Sequence, residues 1–469
     1  MRRVPLLVLA LLALMPGSAA ARCEASRSLR TGPTAGGLYS TMAPFEHFSA
    51  ARTQVFPHAC GAAGEIRARV AAGDYRTPYI AATRERGQLY VYGYGPDPAV
   101  EGAYVASVDP RTLRERWRTR IRDTAPVPGW TYPGVMAVHG NGYLYAVYAS
   151  VMVKLDPRTG RTLARRELPE DPNGTGAAYN GLIVMPDGRI VTKRIERGPC
   201  PGAARPPGYP STVAAFTGLS CAGQNALPTP VVVLDPRRLR VVSVAMPPEP
   251  ITGRITASRG FVYAAGRDSL FRFRYRRGRL RLDRGWGPVV YRRGAQRPGT
   301  GPGIMGGFVV VQTNFLPSVE PLTVTAVSVR DSRRVFRIRP FSGASSWVVS
   351  KAALDAANRT VVTHDTSAHR MAALRLDPRR GFSVRWSRPL TSLAFSALVG
   401  EARRRQIVIP DLGPDGDRVV WLSERTGRVR ARSGPLATAS APGNIVTPGF
   451  GGRFYYPSWD GRLWELRGR

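Results

Sequence analysis

The chain has 469 residues and a formal net charge of +36, and every basic residue is arginine except Lys154, Lys193 and Lys351. A balance this basic favours polyanionic partners such as envelope polymers, anionic headgroups or nucleic acid. The arginines recur in short turn-like runs ("DPRR", "RYRRGRLRLDR", "EARRRQ") and not in one dense block interleaved with aromatics, which argues against specific nucleic-acid binding and leaves membrane association at most electrostatic.

In chain order, the first element is "MRRVPLLVLALLALMPGSAAARC": Arg2 and Arg3, an apolar core, a helix-breaking Pro16-Gly17, then small residues suited to signal-peptidase cleavage. Residues 1–21 are read as a Sec-type export signal, and the apolar core is too short to span a bilayer comfortably. No later stretch reaches that length, which predicts a secreted or extracytoplasmic, soluble mature chain. Four cysteines in an exported chain suggest disulfides, with three pairings possible. Proximity favours Cys23 with Cys60 and Cys200 with Cys221; the latter would staple a Pro- and Gly-rich insert at residues 196–228 and contribute roughly 3 kcal/mol.

From residue 75 onward one pattern repeats. A glycine or other turn residue leads a short β-rich run in "GQLYVYGYG" (Gly87), "GYLYAVYA" (Gly142), "GRIVTKRI" (Gly188), "GFVYAAGR" (Gly260), "GFVVVQTN" (Gly307), "NRTVVTHDT" (Asn358), "RQIVIPDLG" (Arg405) and "RFYYPSWDG" (Arg453). Behind most copies lies a strand, turn, strand unit such as "SVDPRTLRERW", "KLDPRTGRTLARREL" or "RLDPRRGFSVRW". In these turns aspartate accepts backbone hydrogen bonds, proline presets its torsion and glycine tolerates positive φ. Ahead of each first element sits one more apolar run, such as "GVMAVHG" or "GLIVMPDG". Four strands, A to D, therefore recur roughly every 40 to 50 residues, the signature of a β-propeller. The fold class is all-β, with eight four-stranded blades over residues 75–469 and seven as the alternative count. The last unit ends at strand C, "GRLWELRGR"; its outer strand is expected from the extension at residues 22–74, with "GEIRARVAAG" from Gly64 as candidate.

Asp-Pro-x-Thr followed five residues later by tryptophan, as in Asp109 to Trp117, resembles the tryptophan-docking repeat of quinoprotein (PQQ-like) propellers, and a second copy surrounds Trp386. The resemblance implies an eight-bladed ring. Dehydrogenases of that family bind pyrroloquinoline quinone with calcium, and many carry a vicinal cysteine pair. This chain has no adjacent cysteines and no assignable carboxylate set for calcium, so no cofactor is expected and PQQ least of all.

A second, local resemblance is that of "YNGLIVMPDGRIV" to the Asn-Gly-Leu segment of gluconolactonase-type propellers, where it implies Asn180 as ligand to a divalent metal. The carboxylates that such a site needs are absent from the corresponding strand heads, Arg76-Thr77-Pro78 and Thr252-Gly253-Arg254. His364, Asp365 and His369 in "THDTSAH" are further weak metal candidates, read primarily as a polar turn. "GPGIMG" at Gly301 precedes a strand and is read as a strand entry, not a dinucleotide loop. Asp411, Asp415 and Asp417 lack the spacing of a calcium loop and are read as a turn.

Long B to C loops place irregular segments on the face where strands A begin, and such segments on a rigid scaffold are where binding usually resides. The candidate mouth residues are Trp130, Tyr132, Tyr179, Asn180, Arg254, Trp347, Phe395 and Asn444. Aromatics beside amides and guanidinium suit a saccharide, a small anionic ligand or an anionic envelope polymer. The reading is an exported, monomeric binding or scaffold propeller. The alternatives are a metal-dependent hydrolase or lactonase and, behind it, a PQQ-dependent oxidoreductase.

Overall fold

The computed structural model describes residues 28–71, 78–94, 102–123, 134–169, 178–195, 228–251, 253–291, 300–313, 320–343, 350–440 and 443–468, together with residue 26. Successive antiparallel sheets cover residues 78–122, 135–167, 178–245, 256–290, 303–338, 353–389, 397–433 and 447–468, and form blades 1 to 8 of a β-propeller. Within a blade the strands pair in chain order, A to B to C to D. Strand A lines the centre and D faces outward.

Burial follows from that stacking. Strands B and C lie between neighbouring blades and are covered on both sides: Ile190–Ile195, Phe308–Thr313, Thr323–Ser328 and Thr360–Asp365 are buried at every position. Outer strands have water on one side, so Glu115–Arg122 and Thr162–Glu167 carry exposed arginines. The apolar clusters sit between blades, as where Trp421 of blade 7 meets Phe454 of blade 8 edge-on, with ring centroids 5.1 Å apart.

The Asp-Pro turns join C to D. Asp109 Oδ1 accepts the amides of Arg111 and Thr112, Asp156 Oδ1 those of Arg158 and Thr159, and Asp377 Oδ1 those of Arg379 and Arg380. The following glycine serves the neighbouring blade. Gly160 (φ 74°) has its Cα face on the Trp117 ring, where a Cβ would come within 2.5 Å, and Gly427 (φ 69°) stands in the same relation to Trp386 at 2.9 Å. Trp386 also donates its indole N–H to the Glu424 carbonyl at 2.8 Å. In blade 5 Phe336 takes the tryptophan's place, packing on Gly381 of blade 6. The docking geometry thus extends beyond the positions with tryptophan.

Two N-terminal segments complete the ring. Gly64–Val70 pairs antiparallel with Leu463–Gly468 and supplies the fourth strand of blade 8, and its first residues also run parallel to Val429–Ser433 of blade 7. Upstream, residues 38–59 form a strap across the inner strands. The carbonyls of Ala43, Pro44, Ala50, Ala51, Thr53 and Gln54 accept amides of Thr83, Val138, Ala257, Ile304, Leu354 and Leu398, one each from blades 1, 2, 4, 5, 6 and 7. The strap's Met42, Ala43, Phe45, Arg52, Gln54 and Phe56 are all at most 1% exposed, so it closes the channel from within.

Candidate functional site

The strap carries a charged centre into the channel. Glu46 Oε1 accepts Arg52 Nη1 at 2.5 Å and Arg254 Nε at 2.7 Å. Arg52 also donates from Nε to the Ile255 carbonyl (2.7 Å) and from Nη2 to the Leu182 carbonyl (3.1 Å), and its guanidinium lies 4.8 Å from the Phe45 ring centroid. Arg254 heads strand A of blade 4 and reaches the Tyr79 hydroxyl at 3.2 Å; that hydroxyl in turn donates to the Gly443 carbonyl at 3.0 Å. Lys351 Nζ donates to the Arg52 carbonyl at 2.5 Å, and Lys193 Nζ to the Ile251 carbonyl at 3.2 Å. Two of the chain's three lysines are therefore in this one place.

Burial raises the Glu46 carboxyl, yet the Arg254 and Arg52 guanidiniums outweigh that and hold it well below the usual carboxylate range. Lys193 and Lys351 are pushed well below the lysine range, first by burial and then by the neighbouring arginines. His47, 3.8 Å from Glu46 Oε1, is likewise held neutral by burial. The cluster thus holds two fixed guanidiniums, two lysines whose charged form burial disfavours and one carboxylate already shared by both guanidiniums.

The sequence candidates divide into groups. Trp130, Tyr132 and Trp347 lie outside the described residues, as do the 196–227 insert and Cys23, Cys200 and Cys221. Cys60 is half-buried just beyond the strap. The Phe395 ring packs tilted against His47 with centroids 5.2 Å apart, and its backbone amide donates to the Asn444 carbonyl at 2.7 Å. Asn444 donates its side-chain amide to the Pro457 carbonyl. Asn180 is buried beside Gly181, which packs against the Arg254 side chain, and neither its Oδ1 nor its Nδ2 has a partner. Asn180, Arg254, Phe395 and Asn444 are therefore brought together around the Glu46 centre. Tyr179 points the other way, into the packing between blades 2 and 3, with its hydroxyl on the Pro169 carbonyl at 2.9 Å.

No protein-family model and no curated protein matches the chain. Solved structures do. The quinohemoprotein alcohol dehydrogenase from Comamonas testosteroni is similar over 96% of this chain and 83% of its own, with a TM-score of 0.58 and 10% identity. That from Pseudomonas putida HK5 covers 91% and 80% with 0.57 and 10% identity. A europium-containing methanol dehydrogenase covers 88% and 89% with 0.55 and 10% identity. The fold is that of the quinoprotein propellers.

The quinoprotein fold brings with it the question of a calcium–quinone centre, and the donor set here does not suit the calcium. Glu46 is the carboxylate at hand, and two guanidiniums already share it. Among the described residues no three His, Cys, Asp or Glu side chains come together to hold a metal. His364 and Asp365 end strand B of blade 6, and His369 sits in the turn that follows. His364 is buried with both ring nitrogens unpartnered, and burial brings its pKa down to about 4. His369 is exposed and bonds Thr391 at 2.9 Å, while Asp365 accepts the Ala368 amide at 3.0 Å.

Sequence reading missed Glu46, His47, Arg52, Tyr79, Lys193 and Lys351. A signal was present: Glu46-His47 interrupts an otherwise apolar and small-residue stretch, "MAPFEHFSAA", and Lys193 and Lys351 stand out in a chain that otherwise uses arginine.

Proposed function

We propose that the protein is an exported β-propeller that binds a small anionic ligand at the channel mouth, above the Glu46 centre, without transforming it. One observation carries the reading: the Arg52 and Arg254 guanidiniums and the amines of Lys193 and Lys351 are buried together at the Glu46 carboxylate. Burying charge without compensation is costly, and an arriving anion offsets it. Asn180, whose side-chain amide has no hydrogen-bond partner and whose neighbour Gly181 packs on Arg254, is the nearest candidate to add hydrogen bonding to the charge. The use of lysine in a chain dominated by arginine is consistent with a requirement for compact, titratable point charges.

The lysines give the test its signature. Because burial depresses both, anion binding raises their pKa and takes up protons. Calorimetric titration with phosphate, citrate and an acidic sugar, in buffers of different ionisation enthalpy, is expected to show proton uptake and tighter binding as pH falls from about 8 to about 6. Lys193→Met is expected to halve the uptake. Binding without proton uptake, or stoichiometric calcium or zinc in the purified protein, rejects the reading.

A further inference from the structure

A second cationic surface lies at the outer edge of the clasp, away from the channel. Arg453, Arg467 and Arg67 occupy directly opposed positions on three adjacent strands: Arg453 pairs with Arg467 and Arg467 with Arg67. Three like charges in one cross-strand row repel one another. Two positions further along the same strands Glu465 stands between Tyr455 and Arg69. That carboxylate is already shared, by Arg453 at 2.6 Å and Arg69 at 2.5 Å. Arg111, in the Asp109 turn of blade 1, faces the same space, and these side chains line a groove of ≈ 820 Å³. Arg67, Arg111 and Arg467 are exposed and have no carboxylate partner among the described residues.

We propose that this groove docks the backbone of a linear phosphodiester polymer. Glu465 offsets Arg453, and an anion lying between Arg67 and Arg467 would offset the rest of the row. With strands about 4.8 Å apart, the row spans roughly 10 Å, more than one tetrahedral anion bridges, so successive phosphates along a chain fit it. Guanidinium forks bind phosphate oxygens bidentately, which favours phosphate over a diffuse polycarboxylate. Glu465 keeps Arg69 and Arg453 in fixed positions at the wall of the groove.

The test is retention and titration of the full chain with poly(glycerol phosphate), with polygalacturonate, a polycarboxylate, as the comparison polymer. Expected is binding to poly(glycerol phosphate) that weakens at least tenfold in Arg67→Gln/Arg467→Gln. It should change less than twofold in Arg279→Gln/Arg281→Gln, which removes equal charge from the outer strand of blade 4. Arg67→Lys/Arg467→Lys, with charge kept and the fork lost, should weaken binding at least threefold. Equal losses in the two glutamine variants, unchanged binding in the lysine variant, or equal affinity for polygalacturonate would overturn the proposal.

Discussion

Arg52 and Glu46 are six residues apart on one strap, and their side chains close on each other at 2.5 Å in the centre of the ring. The pair does more than neutralise itself. Through Arg254 the same carboxylate oxygen fixes the strap to the head of blade 4, and through its guanidinium Arg52 fixes it to blades 3 and 4 by two carbonyls. Glu46 is thus a counter-charge shared by Arg52 and Arg254. Replacing one partner of a buried pair leaves the rest uncompensated, so Glu46→Gln is expected to destabilise the fold by about 3–5 kcal/mol. Denaturant melts of Glu46→Gln, Arg52→Met and the double variant check this. The double variant should fall short of the sum of the singles by at least about 1 kcal/mol, because it removes charge together with counter-charge.

The tryptophan-docking turns give a second prediction. Gly160 combines a positive φ with the Trp117 ring where its side chain would be, whereas Gly307, at φ 83°, has open space around the same position. Gly307→Ala therefore meets only the backbone penalty of about 1–2 kcal/mol, and Gly160→Ala adds displacement of the indole for a total of about 3 kcal/mol. Thermal melts of both variants separate the two contributions. Equal losses would show that the Trp117 contact contributes nothing to blade docking.

These turns also show why the architecture could be read from residues. Blades 1, 2, 3 and 6 repeat a local code, Asp-Pro with its amide bonds and a residue at positive φ, and strands B and C are buried on both faces, which makes runs such as Phe308–Thr313 largely apolar. The channel centre has no such code. Asn180, Arg254, Phe395 and Asn444 could be named because they head strands A. Glu46 and Arg52 come from a strap that follows no strand periodicity, and Tyr179 was misdirected by one residue of alternation, since neighbours on a strand face opposite sides. His364 and His369 are close in sequence, yet the turn leaves one inside and the other in solvent.

Glu424 gives a pH dependence. It is buried in the turn that receives Trp386, one of its oxygens accepts Asn358 Nδ2 at 2.6 Å, and its Oε1 has no partner. Burial, reinforced by the neighbouring Asp355 carboxylate, raises its pKa to about 7. The folded state therefore holds the proton more tightly than the unfolded chain. Its favourable contribution is complete below the unfolded value near pH 4.5 and is lost as pH rises through about 7. Glu424→Gln should match the parent near pH 4.5 and exceed it above pH 8, by up to about 3 kcal/mol for a shift of this size. Parallel melting curves for parent and variant across pH 4.5–8.5 would show that Glu424 does not titrate with folding.

The clasp gives the last prediction. On Gly64–Val70 only Ile66 is buried, at 3% exposure, and it packs with Trp421 of blade 7 and Leu466 of blade 8. The remaining side chains of that strand are exposed, so its attachment rests on backbone pairing with Leu463–Gly468 and Val429–Ser433, on the Arg69–Glu465 ion pair and on this one apolar residue. Ile66→Ala removes most of the apolar area that holds the strand and leaves a cavity beside Trp421, a loss of about 2–4 kcal/mol. If the clasp closes the ring cooperatively, the loss appears in global unfolding. Amide exchange across Leu463–Gly468 then accelerates together with that of Val429–Ser433, the strand on the clasp's other side. Exchange that accelerates in blade 8 alone, with the global melt unchanged, would show that the clasp strand opens independently and that the strap holds the ring without it.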